Sequence, residues 1–317
     1  MIKRYFTLFI LVHLLSSCSE PKIKQEAVVP NTAKSDSIRI WIEESKNPKS
    51  TELQKLSVLN KAYQFALNSP SDSLKAQYFS TLSENLYATA DSAFFRKVNN
   101  LAISLNQKQK DSISLGNRYW DLALFFNRYS VKDSAYSSYS EAQKIFETIN
   151  EKQLSGRMYW SMSKIQTDIK DYVGSETTIT KAIERLKPLG DNYYLYLSYN
   201  VLGITLGGLG EVEKSQAYYN EALYYSKKET NDKVREATII NNIGVVLRNN
   251  KQYKKAIQHF KTVLETDSLE INDLDLYAKA LSNLASSKLH DNDTLGVNKL
   301  LLEAIEIKSR ENMTASL

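Results

Sequence analysis

Glycine and proline are scarce in this chain of 317 residues. It has 10 glycines and 5 prolines, together about 5% of the residues. Average usage of the two together is roughly 12%, so turn-rich all-β and collagen-like architectures are excluded. Hydrophobic residues make up 42% of the chain and charged residues 24%. That balance is too apolar for an intrinsically disordered chain and too polar for a protein with many membrane spans. The composition therefore predicts a soluble, helical body.

Residues that carry common catalytic chemistry are also few. Cys18 is the only cysteine, and His13, His259 and His290 lie far apart in the sequence. A zinc site takes three or four ligands at characteristic spacings, and no such cluster is present. The glycines at 203–210 do not follow a strand, as those of a phosphate-binding loop do, and no pair of carboxylates stands out as acid and base. The sequence predicts no enzyme, no metal site and no cofactor.

The first 17 residues have the pattern of an export signal. Lys3 and Arg4 precede an apolar run at residues 5–15, which is shorter than the about 20 residues of a membrane-spanning helix. The run ends in Leu15-Ser16-Ser17-Cys18, which resembles the lipobox of bacterial lipoproteins. The resemblance implies that residues 1–17 are removed, that Cys18 is lipidated and that the mature protein is anchored to a membrane.

Two alternatives leave Cys18 without lipid: an ordinary secretory peptide with a cysteine near its cleavage site, or an uncleaved anchor. The order of charge, apolar run, small residues and cysteine favours the lipoprotein. Residues 18–35 contain Pro21 and Pro30 and lack periodicity, so we predict a flexible tether before a repeat domain at 36–317. The expected location is the cell envelope, on the periplasmic or cell-surface side of a membrane.

A motif of fixed spacing recurs every 40 or 41 residues along most of the chain. Its clearest copy consists of Tyr199, Leu202, Gly203, Ser215, Tyr219 and Ala222. The small residue in the middle of the motif recurs as Ser83, Ala123, Ser163, Gly203, Gly244 and Ala285. The following large residue is aromatic in three copies, as Tyr139, Tyr219 and Phe260. We expect the small residue to let two helices approach closely and the aromatic residue to fill the space beside them.

This pattern resembles the tetratricopeptide repeat, a helix-turn-helix unit. The resemblance covers about residues 73–310, after a degenerate unit at 37–68 in which Tyr63 and Ala66 keep only the second helix. It implies an all-α fold, a right-handed α-solenoid of antiparallel helix pairs with one degenerate and six further repeats. The period exceeds the family's about 34 residues, and we place part of the surplus in turns at 227–232 and 265–275.

The first helix of each repeat, here called the A helix, lines the concave wall of such a solenoid. One predicted groove column contains Ser80, Trp120, Trp160, Asn200, Asn241 and Ser282. A second column contains Asn127, Arg128, Lys164, Thr167, Arg248 and Asn249. Because Trp120 and Trp160 are 40 residues apart, we expect them to form one aromatic patch. Aromatic faces beside amide and cationic donors suit an extended peptide, with an acidic or C-terminal carboxylate end favoured. The alternative is that the tryptophans are core and the polar column is ordinary solvated surface.

We therefore expect a non-enzymatic, membrane-anchored scaffold that binds a protein or peptide. The alternatives are a sensory module of a signal-transduction system, of the histidine-kinase or helix-turn-helix regulator type, and a glycan-binding lipoprotein. The net charge of +5 falls to +3 without Lys3 and Arg4 and is not clustered, so nucleic acid is not an expected partner. The frame places the next A helix around residues 315–328, and the sequence stops at Leu317. We expect the last repeat to be covered by a partner or by a homodimer mate, or the chain to be part of a longer protein.

Overall fold

The computed structural model describes residues 32–87, 92–230 and 232–315. The predicted signal peptide at 1–17, the lipidated Cys18 and most of the predicted tether at 18–35 lie outside the described residues. The described secondary structure is helical throughout. The prediction of an all-α fold is confirmed.

The helices follow one another with short connections. The N-terminal half contains α1 (Thr32–Ser45), α2 (Glu52–Leu67), α3 (Asp72–Leu86), α4 (Ser92–Gln109), α5 (Ser112–Arg128), α6 (Lys132–Thr148), α7 (Lys152–Asp168) and α8 (Tyr172–Leu186). The C-terminal half contains α9 (Asn192–Gly208), α10 (Val212–Glu229), α11 (Lys233–Asn249), α12 (Tyr253–Leu264), α13 (Leu269–Asn272), α14 (Leu274–His290) and α15 (Val297–Ala315). A short 3-10 turn at Lys187–Leu189 follows α8.

The helices pack as consecutive antiparallel pairs, α3 with α4, α5 with α6, and so on through α14 with α15. Successive A helices also contact each other, as α3 does with α5 and α7 with α9. The predicted repeat solenoid is therefore confirmed. The unit at 37–68 has both helices, α1 and α2, although its sequence keeps the pattern of the second alone. Helix α1 begins at Thr32, inside the range that we predicted as tether.

The turn between the two helices of a repeat is built the same way in successive units. Ser130, Lys170, Gly210 and Lys251 all have positive φ, between 58° and 83°. The next residue donates its backbone N–H to the carbonyl five residues back, as Val131 does to Phe126 at 2.9 Å. This is the Schellman arrangement, which satisfies carbonyls at a helix C-terminus. It fixes the reversal of the chain in these four repeats.

Most of the long period is taken up by the helices. Helices α5, α7, α9 and α11 each have 17 residues, and α10 has 18 residues and extends to Glu229. Our placement of surplus residues in a turn at 227–232 was therefore wrong for residues 227–229. The segment at 265–275 does hold extra chain, which forms the short helix α13 before α14 begins.

The small residue of the motif is where the two helices of a repeat meet. A Cβ atom on Gly203 would lie 2.7 Å from ring carbons of Tyr219, and one on Gly244 would lie 2.7 Å from Phe260. The equivalent Ser83, Ala123, Ser163 and Ala285 are completely buried. The predicted role of this position is confirmed. A second close approach, of Gly116 to Phe146, was not anticipated.

Candidate functional site

Three adjoining cavities follow the A helices α3, α5 and α7, and together they are here called the groove. A polar cavity of ≈ 310 Å³ lies between α3, α4 and α5. A charged cavity of ≈ 390 Å³ lies between α3 and α5, and an aromatic cavity of ≈ 200 Å³ between α5, α6, α7 and α9. The polar and charged cavities share Glu84, Asn117 and Arg118, and the charged and aromatic cavities share Trp120 and Leu124. The groove is therefore continuous across neighbouring repeats.

The aromatic cavity brings together both predicted tryptophans. Trp120 and Trp160 line it with Tyr139 and Tyr194, and the rings of Trp160 and Tyr194 meet edge to face with centroids 5.4 Å apart. Burial raises the pKa of Tyr139 to about 12, so its hydroxyl stays protonated at neutral pH. The indole nitrogen of Trp160 is buried and has no hydrogen-bond acceptor within the described part of the chain.

Both tryptophans are half-buried, and each contributes to the core as well as to the cavity wall. Trp120 packs against the core of the α5–α6 repeat and Trp160 against the core around α9 and α10, while each ring also lines the cavity. The two interpretations open at the sequence level, core packing and groove lining, therefore both hold. Packing into the core fixes the rings in place.

Two further predicted residues, Asn127 and Lys164, line the same cavity. Lys164 is not a free cation, because its Nζ lies 3.3 Å from Asp168 Oδ2. Lys132 approaches the same oxygen at 3.1 Å and donates to Asn127 Oδ1 at 3.3 Å. These side chains form one rim across α5, α6 and α7, in which two lysines share a single carboxylate.

The charged cavity contains a buried ion pair that we did not predict. Arg118 Nε lies 3.0 Å from Asp121 Oδ2, and the two residues are only 4% and 6% exposed. Asp121 Oδ2 also accepts from Ser83 Oγ at 2.8 Å, and Ser83 in turn accepts from Asn99 Nδ2 at 2.8 Å. Burial raises the pKa of Asp121 to about 6, although Arg118 and Ser83 act in the opposite direction. The network ties α3, α4 and α5 together beneath the groove.

The remaining predicted residues lie elsewhere on the A helices. Arg128 and Asn249 are exposed at helix C-termini. Thr167 Oγ1 lies 2.7 Å from Ser175 Oγ and 3.3 Å from Thr205 Oγ1, so its hydroxyl is engaged between repeats. None of the three lines the groove.

Asn200, Asn241 and Arg248 belong to a ladder of amides that links α9, α11 and α14. Asn200 Oδ1 accepts from Asn242 Nδ2 at 3.0 Å, and Asn241 Oδ1 accepts from Asn283 Nδ2 at 3.1 Å. Arg248 Nη1 donates to Asn283 Oδ1 at 2.7 Å. The sequence analysis did not predict Asn242 and Asn283. Each directly follows a residue of the predicted column, Asn241 or Ser282, and this adjacency was the signal that could have indicated them.

A separate cavity of ≈ 450 Å³ lies between α8, α9 and α10. Its lining includes Ile183, Pro188, Tyr199 and Tyr218, and it shares no residue with the groove. The rings of Tyr199 and Tyr218 stack with centroids 6.0 Å apart.

In the described residues, no three His, Cys, Asp or Glu side chains are grouped so as to hold a metal ion. Across residues 32–87, 92–230 and 232–315, no helix combines the length and apolar character needed to cross a bilayer.

Family comparisons agree with the repeat frame. Residues 196–229 and 237–266 each match a family model described as tetratricopeptide repeat. These two helix pairs are therefore tetratricopeptide repeats. The matched segments cover most of α9–α10 and of α11–α12. No curated protein sequence matches the chain.

Solved structures of the same architecture share little sequence with it. Aspartyl phosphate phosphatase F from Bacillus subtilis is 17% identical with a TM-score of 0.62, over 86% of this chain and 68% of that one. The apo form of RapI is 12% identical with a TM-score of 0.66, over 89% and 99% of the two chains. NprR in complex with its cognate peptide NprX is 11% identical with a TM-score of 0.58, over 89% and 81%. At these identities the likeness shows the fold.

Proposed function

We propose that this protein is a non-catalytic scaffold that binds an extended peptide, or an extended segment of a protein, in the groove. The observation that carries the proposal is the continuity of three cavities along successive A helices. Helix axes pack about 8–10 Å apart, so the three steps from α3 to α9 span roughly 25–30 Å. About eight extended residues cover that length at about 3.3 Å each.

The walls of the groove suit a peptide. Amide side chains such as Gln77, Asn117 and Asn127 line it at intervals and can pair with a peptide backbone, while the aromatic cavity takes an apolar side chain. The rings are held by core packing, so little ordering is needed on binding. The similar solenoid NprR was solved with a peptide bound, which supports the proposal by analogy of fold.

The proposed setting is the cell envelope. Cys18 would carry lipid after removal of residues 1–17, and the segment from Cys18 to α1 would connect the solenoid to a membrane. In that setting a peptide-binding solenoid can also serve as the sensory part of a signalling system, which remains our alternative. A glycan is the other alternative, favoured by hydroxyl and amide side chains of the polar cavity, such as Ser80 and Asn117, and by Trp120 in the adjoining charged cavity.

A displayed library of random nonapeptides tests the proposal. The library is selected on the purified chain from residue 19 onward, after depletion on the Trp120→Ala/Trp160→Ala variant, whose folding is checked by circular dichroism. We expect enriched peptides that bind the unaltered chain at least tenfold more tightly than the variant. Peptides that bind both equally, or no enrichment with binding of an oligosaccharide array instead, would exclude the peptide groove.

A further inference from the structure

We infer that the peptide taken by the groove presents a cationic side chain, lysine or arginine, to the charged cavity and an apolar side chain to the neighbouring aromatic cavity. This inference rests on the proposed function and names the chemical class of its ligand. The occupant is argued from the charges and aromatic rings that line the two cavities.

The charge balance of the polar and charged cavities is negative. Their lining contains Glu84, Asp111 and Asp121 against the single cation Arg118. Arg118 is already opposed by Asp121 at 3.0 Å, and the Asp111 carboxylate caps α5 by accepting from the Ser114 N–H at 3.0 Å. Glu84 is exposed and lines both cavities. Its carboxylate is therefore the charge that a ligand can complement.

The same cavity offers aromatic walls to the stem of a long cationic side chain. Tyr87 and Trp120 line the charged cavity together with Glu84. The methylenes of lysine or arginine pack on such rings while the charged end reaches the carboxylates. Trp120 also borders the aromatic cavity, so the apolar side chain belongs a short distance along the same peptide.

This inference departs from our expectation of an acidic ligand. That expectation rested on Arg128, Lys164 and Arg248. Lys164 lines the aromatic cavity, where it shares Asp168 with Lys132. Arg128 lies outside the three cavities, and Arg248 donates to Asn283 toward the far end of the solenoid. None of the three lines the polar or the charged cavity.

Ligand binding should be coupled to the protonation of the buried Asp121 carboxylate, and this coupling can be measured. Arg118 on its own helix, Ser83 and Glu84 on α3, and Asn99 on α4 surround this network. Burial and the neighbouring Glu84 raise the pKa of Asp121 to about 6 against the opposing effect of Arg118. A ligand cation favours the ionised form, so binding should strengthen as the pH rises through 6.

The test uses the tightest peptide from the library selection, resynthesised with acetylated and amidated ends, and versions with its basic residue changed to Gln or Glu. Affinities are measured by fluorescence polarisation on the unaltered chain and on Glu84→Gln, Glu84→Lys and, as matched control, Glu221→Gln. Glu221 is exposed on α10 and lines none of the three cavities.

We expect the Gln version to bind threefold to tenfold more weakly and the Glu version more weakly still. Glu84→Gln should remove most of this discrimination, Glu84→Lys should reverse it, and Glu221→Gln should leave it unchanged. Loss of affinity between pH 7 and pH 5 should be smaller in Asp121→Asn. Selected peptides without a basic residue, or discrimination that survives Glu84→Gln, would overturn the inference. Binding that still depends on Trp120 and Trp160 would then leave the proposed function standing, whereas binding independent of them would remove both.

Discussion

Replacing Gly203 by alanine should destabilise the protein, although the same change in an open helix is favourable. Alanine is better than glycine in a helix interior by about 1 kcal/mol. At residue 203, however, the new Cβ would lie 2.7 Å from two ring carbons of Tyr219, against an optimal separation of about 3.5–4.0 Å. The Tyr219 ring is 1% exposed and has little room to move. Overpacking of this kind costs about 1–3 kcal/mol, so we expect a net loss near 1 kcal/mol.

The assay is urea unfolding followed by circular dichroism, with an unchanged m value as the check on cooperativity. In a double-mutant cycle, Tyr219→Leu should relieve the clash, giving a favourable coupling of about 1 kcal/mol with Gly203→Ala. The matched control is Ala123→Gly, since Ala123 occupies the equivalent position of α5 and is fully buried. That change should cost about 1–2 kcal/mol through helix propensity and a lost methyl group. A Gly203→Ala variant more stable than the original chain would refute the packing argument.

Three further predictions concern other parts of the chain. Gly210 has a φ of 83° and open space at its Cβ position, so Gly210→Ala should cost about 1–2 kcal/mol through backbone strain alone; urea unfolding checks this, and no loss would contradict the αL turn. Burial raises the pKa of Asp121 from 3.8 to about 6, so between these two pH values the folded state binds more protons than the unfolded state. As the pH falls from 7 to 5, the free energy of unfolding of the unaltered chain should therefore rise by about 1 kcal/mol more than that of Asp121→Asn. Equal changes in the two proteins would refute the raised pKa of Asp121. In a bacterial host, Cys18→Ser should abolish palmitate labelling and detergent-phase partitioning, and labelling that persists would exclude the lipid anchor.

The repeat frame was predictable because it rests on side-chain size at a fixed period. Gly203, Tyr219 and Ala222 meet for steric reasons that recur in every unit, and a spacing of 40 or 41 residues is visible in the sequence alone. The added length was misplaced at 227–229 because polar residues suit an exposed helix face as well as a turn. At residues 227–229 the turn propensity of the sequence is outweighed by the packing of α10, which continues to Glu229.

The groove was predictable in part. Trp120, Trp160, Asn127 and Lys164 meet in one cavity, as their register indicates. Arg118 and Asp121 were missed because a charged residue on an A helix is equally compatible with an exposed face, and periodicity alone does not show which neighbours bury it and compensate its charge. The pairing of Lys164 with Asp168 likewise depends on local geometry. The charge of the groove therefore had to come from the structure.

The most direct test of the peptide groove is photocrosslinking from a selected peptide that carries benzophenone at its apolar position. We predict crosslinks within α5 and α7, near Trp120 and Trp160, and their loss on competition with unlabelled peptide. Competed crosslinks confined to α10, α12 or the cavity lined by Tyr218 would contradict the account.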